Sequence, residues 1–414
     1  MSRVRGSVLS TGVALLATLA ACGGGGAGSS DKPPAPPPLP TGSNVAPLIV
    51  DAGPQALGVN LPSVTVTLCV PGTTTCQAID HVLVDTGSTG LRITREALTL
   101  APASLPPVVT TTGEALYECF QFADGDSWGS VRTADVQLAD GKAGSLAVQI
   151  VGDPADPTTP AGCNNTQSTV AALGANGILG VSVFLEDCGS GCASGIIPGG
   201  GLYFVCPATG CVGTAVLPPA QLQNPVSHFA INNNGVAIYL PAITAVGAPT
   251  VAGALVLGID TQSNNQLGSA SVLGVDPLTG NFTTIFNGRT YTRAGFLDSG
   301  SNGNFFTDAS LPACAINVGW YCPATAVTLT ATNQGVGASS ATSSVTFSVA
   351  SLDALSNANP GFAAYDNIAG PMPSTITGFD WGLPFFFGRS VSVAFETKAT
   401  SAGTGPFFAY ADFL

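Results

Sequence analysis

Charged residues are scarce in this chain, and their scarcity excludes several kinds of partner. Only 8% of the 414 residues are charged, and 11 Lys and Arg against 24 Asp and Glu give a net charge of -13. A protein of this charge repels phosphate groups, so we expect no nucleic-acid partner. Helix-favouring Lys, Glu and Met are also rare, while Gly (52) and Pro (31) are frequent. The composition therefore predicts strands and turns rather than helices.

Motifs for metal and nucleotide chemistry are missing as well. The sequence contains no H-E-x-x-H, no C-x-x-C and no G-x-x-x-x-G-K-[ST] pattern. Its two histidines, His81 and His228, stand apart in the chain and are interpreted as ordinary surface or hydrogen-bonded residues. We therefore expect neither a metal nor a cofactor.

The N-terminus has the pattern of a secretory signal peptide. Arg3 and Arg5 precede the uncharged, largely apolar stretch 8–21. A transmembrane anchor is the alternative, but the stretch is shorter than the roughly 20 residues that span a bilayer. It ends in Leu19-Ala20-Ala21-Cys22, which resembles the bacterial lipobox, where the Cys is acylated and becomes the first mature residue. Because Gly23 replaces the Asp of inner-membrane retention signals, we expect a lipid anchor in the cell envelope, at the outer membrane.

The organisation of the remaining chain follows from its composition and length. Residues 1–22 are the predicted signal peptide, and residues 23–45, rich in Gly and Pro, are a predicted tether. About 370 residues remain, which is long for one core and suits two lobes. We expect an N-terminal β lobe at 46–224 and a C-terminal β lobe at 225–414, in a monomer attached to the membrane only by its N-terminal lipid.

The cysteines indicate an oxidising compartment. Of the 11, the predicted lipidation of Cys22 leaves ten, the even number that a disulfide framework requires. Four pairs are close neighbours in the sequence, and two cysteines are left for a fifth pair. The predicted disulfides are Cys69–Cys76, Cys188–Cys192, Cys206–Cys211, Cys314–Cys322 and Cys119–Cys163.

One pattern occurs twice along the mature chain. An apolar strand ending near Val84 leads into Asp85-Thr86-Gly87-Ser88, and a second one ending near Leu297 leads into Asp298-Ser299-Gly300-Ser301. A glycine-punctuated apolar segment follows each, at Gly177-Ile178-Leu179-Gly180 and at Trp381-Gly382-Leu383. A long repeat of this kind indicates a duplicated lobe rather than a solenoid.

These paired motifs resemble those of the pepsin-like aspartic proteases, in which each lobe provides one D-[ST]-G-[ST] loop and a later hydrophobic-hydrophobic-Gly segment. They also resemble a group of bacterial lipoproteins of unknown function with the same paired motifs. The resemblance implies an all-β fold of two pseudo-symmetric lobes with a cleft between them. It further implies that Asp85 and Asp298 are the catalytic pair.

The resemblance also assigns supporting roles around the two aspartates. Thr86 and Ser299 would each grip the opposite loop, Ser88 and Ser301 would bond the outer carboxylate oxygens, and Gly87 and Gly300 would leave room for the pair. The family's flap carries a Tyr, whereas the corresponding stretch here offers Phe122, Asp124, Gly125 and Trp128. Two interpretations of Trp128 remain open, because it could cover the cleft or pack at the edge of a hairpin. Tyr117 is an alternative source of the hydroxyl.

Two classes of function are compatible with these residues. In the first, the protein is an envelope-anchored aspartic endopeptidase that hydrolyses an extended peptide or an unfolded protein. Two carboxyls that share one proton supply both the base and the acid for this reaction. In the second, the same fold serves as a noncatalytic lipoprotein that binds peptide or glycan. The two intact aspartates favour the first class, and the altered flap favours the second.

Overall fold

The computed structural model describes residues 38–194, 202–337, 341–373 and 376–413. The predicted signal peptide, Cys22 and most of the predicted tether lie outside these ranges. The described residues form 24 β-strands with a few short helices, so the prediction of a strand-rich chain is confirmed. None of the described helices has both the length and the apolar character needed to cross a membrane.

The N-terminal half of the chain contains ten strands and two α-helices. The strands are β1 (Val45–Asp51), β2 (Leu61–Cys69), β3 (Cys76–Asp85), β4 (Thr89–Thr94), β5 (Leu116–Gln121), β6 (Asp126–Leu138), β7 (Gly141–Val151), β8 (Gly177–Val181), β9 (Tyr203–Val205) and β10 (Val212–Gly213). The helices are α1 (Val170–Leu173) and α2 (Gly189–Ser194). Short 3-10 turns lie at Arg95–Ala97, Pro102–Ser104, Pro218–Ala220 and Pro225–His228.

The C-terminal half contains fourteen strands, one α-helix and one 3-10 turn. The strands are β11 (Gly235–Leu240), β12 (Val251–Leu257), β13 (Ser271–Gly274), β14 (Phe282–Phe286), β15 (Arg289–Leu297), β16 (Asn304–Phe305), β17 (Val327–Gln334), β18 (Thr342–Val349), β19 (Ala369–Gly370), β20 (Phe379–Trp381), β21 (Arg389–Ala394), β22 (Ala399–Thr400), β23 (Gly403–Thr404) and β24 (Phe407–Asp412). The helix is α3 (Leu352–Ala358), and the 3-10 turn is Leu383–Phe385.

Strand pairing closes a ring in the N-terminal half and joins the two halves. In the N-terminal half, β2, β3, β8, β4, β7 and β6 pair in that order, and β6 pairs again with β2, which closes the ring. In the C-terminal half, a seven-stranded sheet has the order β18-β17-β14-β15-β20-β16-β19. The strands β1, β12, β11, β21, β24 and β13 are neighbours in a sheet that both halves share, since β1 pairs antiparallel with β12.

The same local topology creates both aspartate loops. In the N-terminal half, β8 lies between β3 and β4, parallel to β3 and antiparallel to β4. In the C-terminal half, β20 lies between β15 and β16, again parallel to the first and antiparallel to the second. The chain must therefore cross over an inserted strand after β3 and after β15. The two crossings are the Asp85 loop and the Asp298 loop.

Local sequence explains these elements. Strands β3 and β4 belong to the closed ring, and buried apolar side chains are expected there. Four of their side chains are fully buried, those of Val82, Val84, Leu91 and Ile93. Between β14 and β15, Phe286 pairs with Arg289 across Asn287 and Gly288, whose φ angles are 49° and 74°. Positive φ at both positions is the mark of the type I′ turn that an Asn-Gly pair favours.

Five disulfides crosslink the described residues. They are Cys69–Cys76, Cys119–Cys163, Cys188–Cys192, Cys206–Cys211 and Cys314–Cys322. These are the pairs that the spacing of the cysteines predicts. Four of them close short loops, and Cys119–Cys163 ties strand β5 to a segment 44 residues further along the chain.

Candidate active site

Asp85 and Asp298 meet at the junction of the two halves. Asp85 is the last residue of β3, and Asp298 directly follows β15. The backbone N–H of Gly87 donates to Asp85 Oδ1 at 2.8 Å, and that of Gly300 donates to Asp298 Oδ1 at 2.8 Å. A Cβ atom on Gly87 would lie 2.7 Å from the Asp298 carboxyl, so only glycine permits the two loops to approach this closely.

A symmetric set of four hydrogen bonds fastens the loops to each other. The Thr86 hydroxyl donates to the Leu297 carbonyl at 2.9 Å and accepts from the Ser299 N–H at 2.9 Å. The Ser299 hydroxyl donates to the Val84 carbonyl at 2.6 Å and accepts from the Thr86 N–H at 3.1 Å. Thr86 and Ser299 are both buried. Each residue therefore grips the opposite loop in the way that the resemblance implies.

The outer carboxylate oxygens are held by the two serines of the repeated motif. Ser88 donates to Asp85 Oδ2, and Ser301 lies 3.1 Å from Asp298 Oδ2. The eight residues of the two predicted loops thus come together at one place. The two loops differ at Ser301, because its hydroxyl oxygen is also 2.6 Å from Asp380 Oδ2.

The electrostatic environment favours a proton on this pair. Burial raises the pKa of Asp298 well above its ordinary value, and the negative charges of Asp85 and Asp380 raise it further. The two carboxyls are close neighbours, since a Cβ atom on Gly300 would lie 2.7 Å from Asp85 Oδ1 and 3.2 Å from Asp298 Oδ1. A proton on Asp298 relieves the repulsion between its carboxyl and that of Asp85.

A cleft of about 600 Å³ opens above the aspartates. Its walls are mainly apolar and come from both halves of the chain. The N-terminal half contributes Leu61, Leu83, Phe122 and Ile178, and the C-terminal half contributes Phe296, Phe305, Met372 and Ile376. The lining also includes four carboxyl groups, those of Asp85, Asp124, Asp298 and Asp380, and no Lys or Arg from the described residues.

The hairpin between β5 and β6, which is the predicted flap, contributes to the lining of the cleft. The Phe122 N–H donates to the Gly125 carbonyl at 2.7 Å, which closes the turn, and Phe122 and Asp124 line the cleft. Burial raises the pKa of Asp124, and the charge of Asp85 raises it further. At the base of the flap, buried Arg92 pairs with Glu118 at 2.8 Å. This ion pair anchors β5 to the body of the N-terminal half.

Trp128 does not cover the cleft. It is buried in β6, its Nε1 donates to the Pro157 carbonyl at 3.0 Å, and its ring stacks on Tyr117 at a centroid distance of 5.6 Å. Neither ring is part of the cleft lining. Of the two interpretations left open for Trp128, packing beside the hairpin agrees with the structure, and Tyr117 brings no hydroxyl to the site.

Comparison with known sequences identifies a family. A sequence model of the family described as "Protein of unknown function (DUF3443)" matches residues 40–410. The chain belongs to this family. No curated protein matches its sequence.

Comparison with solved structures shows the fold of this DUF3443 member. The crystal structure of aspartic proteinase from Irpex lacteus is similar, with a TM-score of 0.51 and 14% sequence identity. The match covers 89% of this chain and 96% of that chain. At this identity the similarity shows the fold alone. The prediction of an all-β, two-lobed fold of the pepsin type is confirmed.

Asp380 is the one buried carboxyl beside the pair that the sequence interpretation missed. It lies in β20 directly before Trp381, and its side chain is 5% exposed. Burial raises its pKa well above the ordinary value, and the charge of Asp85 adds to the increase. Aligning the two glycine segments would have revealed it, because Asp380 pairs with β15 where Ile178 pairs with β3.

Other catalytic chemistries have little support in the described residues. Two groups there have the spacing of metal ligands, Cys119-Asp126-Cys163 and Cys314-Cys322-Asp353. In each group the sulfurs form a disulfide and are not available as thiolate ligands. Ser127 lies in a G-x-S-x-G sequence, but it is buried within β6 and donates to Gln149 at 3.1 Å rather than to a histidine.

Proposed function

We propose that the protein is an aspartic endopeptidase that hydrolyses peptide bonds in the cleft above Asp85 and Asp298. The observation that carries this proposal is the pair of adjacent carboxyls, with Asp85 buried and Asp298 half-buried, held in two matching loops by four crosswise hydrogen bonds. A binding surface alone has no need of two adjacent carboxyls, because their mutual repulsion destabilises the fold unless they keep a proton.

The reaction needs only these two side chains and water. The ionised carboxyl takes a proton from a water molecule as its oxygen forms a bond to the peptide carbonyl carbon, and the protonated carboxyl gives its proton to the carbonyl oxygen. When the tetrahedral intermediate collapses, the C–N bond breaks and the departing nitrogen receives the proton that was taken from water. The other carboxyl recovers its proton from a hydroxyl of the intermediate, so the pair returns to its starting state. Protons are conserved, and no cofactor takes part.

The cleft suits an extended, largely apolar peptide. Its volume of about 600 Å³ accommodates several side chains, and its apolar walls lie on both sides of the aspartates. Segments with little regular structure reach such a cleft, so unfolded proteins are the proposed substrates. One chain contributes both loops, so the proposed active form is a monomer.

Cleavage of an unfolded protein by variants of the pair tests the proposal. Asp85→Asn and Asp298→Asn each keep the shape of the site and remove one titrating oxygen. We expect each to lower the rate by several orders of magnitude, and the double variant to be little worse than either, because the two groups act as one unit. Additive losses in the double variant, or activity that survives in either single variant, would reject the mechanism.

A noncatalytic peptide- or glycan-binding lipoprotein is the second candidate. The observation that favours it is Phe122, which occupies the flap where the protease family has Tyr and which offers no hydroxyl to the cleft. A statine-type inhibitor, whose hydroxyl mimics the attacking water, separates the two candidates. An enzyme should be protected from thermal unfolding by this inhibitor. A binding protein would bind its own ligand but cleave nothing.

The proposed location is the bacterial cell envelope, through acylation of Cys22. This proposal depends on the lipobox-like sequence before Cys22 and on the Gly- and Pro-rich residues that follow it. Metabolic labelling with palmitate should mark the wild-type protein. Cys22→Ala should abolish the label and release the protein from the membrane fraction, and an unlabelled wild type free of membranes would contradict the proposal.

A further inference from the structure

The Ser301 hydroxyl lies between two carboxyl groups. Its oxygen is 3.1 Å from Asp298 Oδ2 and 2.6 Å from Asp380 Oδ2. A hydroxyl carries a single hydrogen, so Ser301 can donate to only one of these oxygens at a time. The other contact is a hydrogen bond only when the carboxyl itself is protonated and donates to Ser301. Both contacts are therefore hydrogen bonds at the same time only if Asp380 or Asp298 carries a proton.

Asp380 is well suited to hold that proton. Its side chain is 5% exposed, its Oδ1 has no hydrogen-bond partner among the described residues, and none of the ion pairs found there involves it. A buried carboxylate without a counter-ion is far more costly than a buried neutral acid. The titratable groups that face Asp380 are Asp298 and Asp85, both of which repel a negative charge on it.

We propose that Asp380 is a positioning residue which acts through Ser301 and extends the Asp85–Asp298 pair to a cluster of three carboxyls. In its acid form Asp380 donates from Oδ2 to Ser301, and Ser301 in turn donates to Asp298. Once Asp380 ionises, the Ser301 hydrogen turns toward Asp380, and a further negative charge faces Asp298. The effect of this coupling on catalysis rests on the proposed function, whereas its effect on the titration of the three carboxyls does not.

The N-terminal half shows what the site would be without this group. Ile178 occupies the position in β8 that matches Asp380 in β20, and Ser88 bonds Asp85 alone. The two halves of the site are thus unequal by one carboxyl. This asymmetry sets the pH at which the cluster loses its last proton. In wild type that proton leaves against two negative charges, and without Asp380 it leaves against one.

The first test measures titration without any need for activity. Urea unfolding midpoints of wild type and Asp380→Asn are compared from about pH 4 to about pH 8. The folded wild type keeps protons that the unfolded chain releases near a pKa of about 3.9, so its stability falls as pH rises through the raised pKa values. Asparagine cannot titrate, so the midpoint of Asp380→Asn should rise relative to wild type as pH increases. A difference that does not change with pH would overturn the proposal.

A double-variant comparison tests the coupling. In an Asp298→Asn background one neighbouring charge is missing. The pH at which the urea midpoint of the Asp380→Asn variant rises above that of its parent, called here the pH step, should therefore be lower by about one unit or more. Asp366→Asn is the matched control, because burial raises the pKa of Asp366 to about 6 and neither Asp85 nor Asp298 contributes to that shift. Its pH step should be the same in both backgrounds. If the pH step of Asp380→Asn is also the same in the wild-type and Asp298→Asn backgrounds, the proposal is overturned.

A second variant covers the possibility that Asp380→Asn does not fold. Asp380→Ile reproduces the residue found at the matching position, Ile178, and should show the same gain in relative stability with pH. Because both replacements resemble the neutral acid in lacking charge, failure of both to fold at about pH 4 would also contradict a protonated Asp380.

The last test concerns catalysis. In Asp380→Asn, the alkaline limb of the pH profile of kcat/KM should move to lower pH by about one unit or more. An unshifted limb would show that Asp380 does not tune the pair, even if it titrates as predicted. If wild type cleaves nothing at any pH, the proposed function fails, whereas the unfolding comparisons still decide whether the three carboxyls are coupled.

Discussion

Replacing Thr86 by Val should reveal how strongly the crosswise hydrogen bonds hold the two halves together. Valine has nearly the shape of threonine but no hydroxyl. The Leu297 carbonyl and the Ser299 N–H would lose their partners, and both residues are buried. Each buried polar group left without a partner costs about 1 to 3 kcal/mol, so the free energy of unfolding should fall by about 2 to 6 kcal/mol.

Urea unfolding of the oxidised protein, followed by tryptophan fluorescence, measures this loss. Thr86→Ser is the matched control, because it keeps the hydroxyl and removes only a methyl group, at a cost of about 1 kcal/mol. Thr328→Val, at an exposed position of β17, should change the free energy of unfolding by less than about 0.5 kcal/mol. If Thr86→Val is as stable as Thr86→Ser, the crosswise bonds do not hold the two loops together.

Two further predictions follow from the geometry of the loops and the disulfides. Gly300→Ala should fold but lose at least about a hundredfold in cleavage rate, because its Cβ would lie 2.7 Å from Asp85 Oδ1, whereas Gly144→Ala, with its nearest atom at 3.5 Å, should cleave normally. Replacing both Cys119 and Cys163 by Ala should lower the free energy of unfolding by about 4 kcal/mol, since this disulfide spans 44 residues. Equal cleavage by the two glycine variants, or a urea midpoint unchanged without the disulfide, would contradict these expectations.

Much of this site could be predicted because the resemblance to the pepsin-like proteases depends on short, contiguous motifs. Asp85-Thr86-Gly87-Ser88 and its second copy each follow an apolar strand, and a glycine makes the close approach of the two loops possible. The ten cysteines other than Cys22 likewise indicate their pairs, because eight of them are close neighbours in the sequence and two remain. The strand, the loop that follows it and the short disulfide loops are each determined by residues that are neighbours in the sequence.

Other features depend on contacts between distant parts of the chain. The two faces of a strand are equivalent until its neighbours are known, so the sequence of β6 does not tell whether Trp128 faces the cleft or the interior. Asp380 becomes part of the site only because β20 inserts between β15 and β16. The pairing of β1 with β12 joins residues about 200 positions apart, and no local pattern specifies it.

A peptide-library digest of the wild-type protein from about pH 3 to about pH 8, with Asp85→Asn as the control, tests directly whether Asp85 and Asp298 hydrolyse peptide bonds. Two adjacent carboxyls that share a proton should give cleavage that declines once the last shared proton is lost, and Asp85→Asn should give none above background. Cleavage that is equal in wild type and Asp85→Asn, or no cleavage by wild type at any pH, would contradict the account.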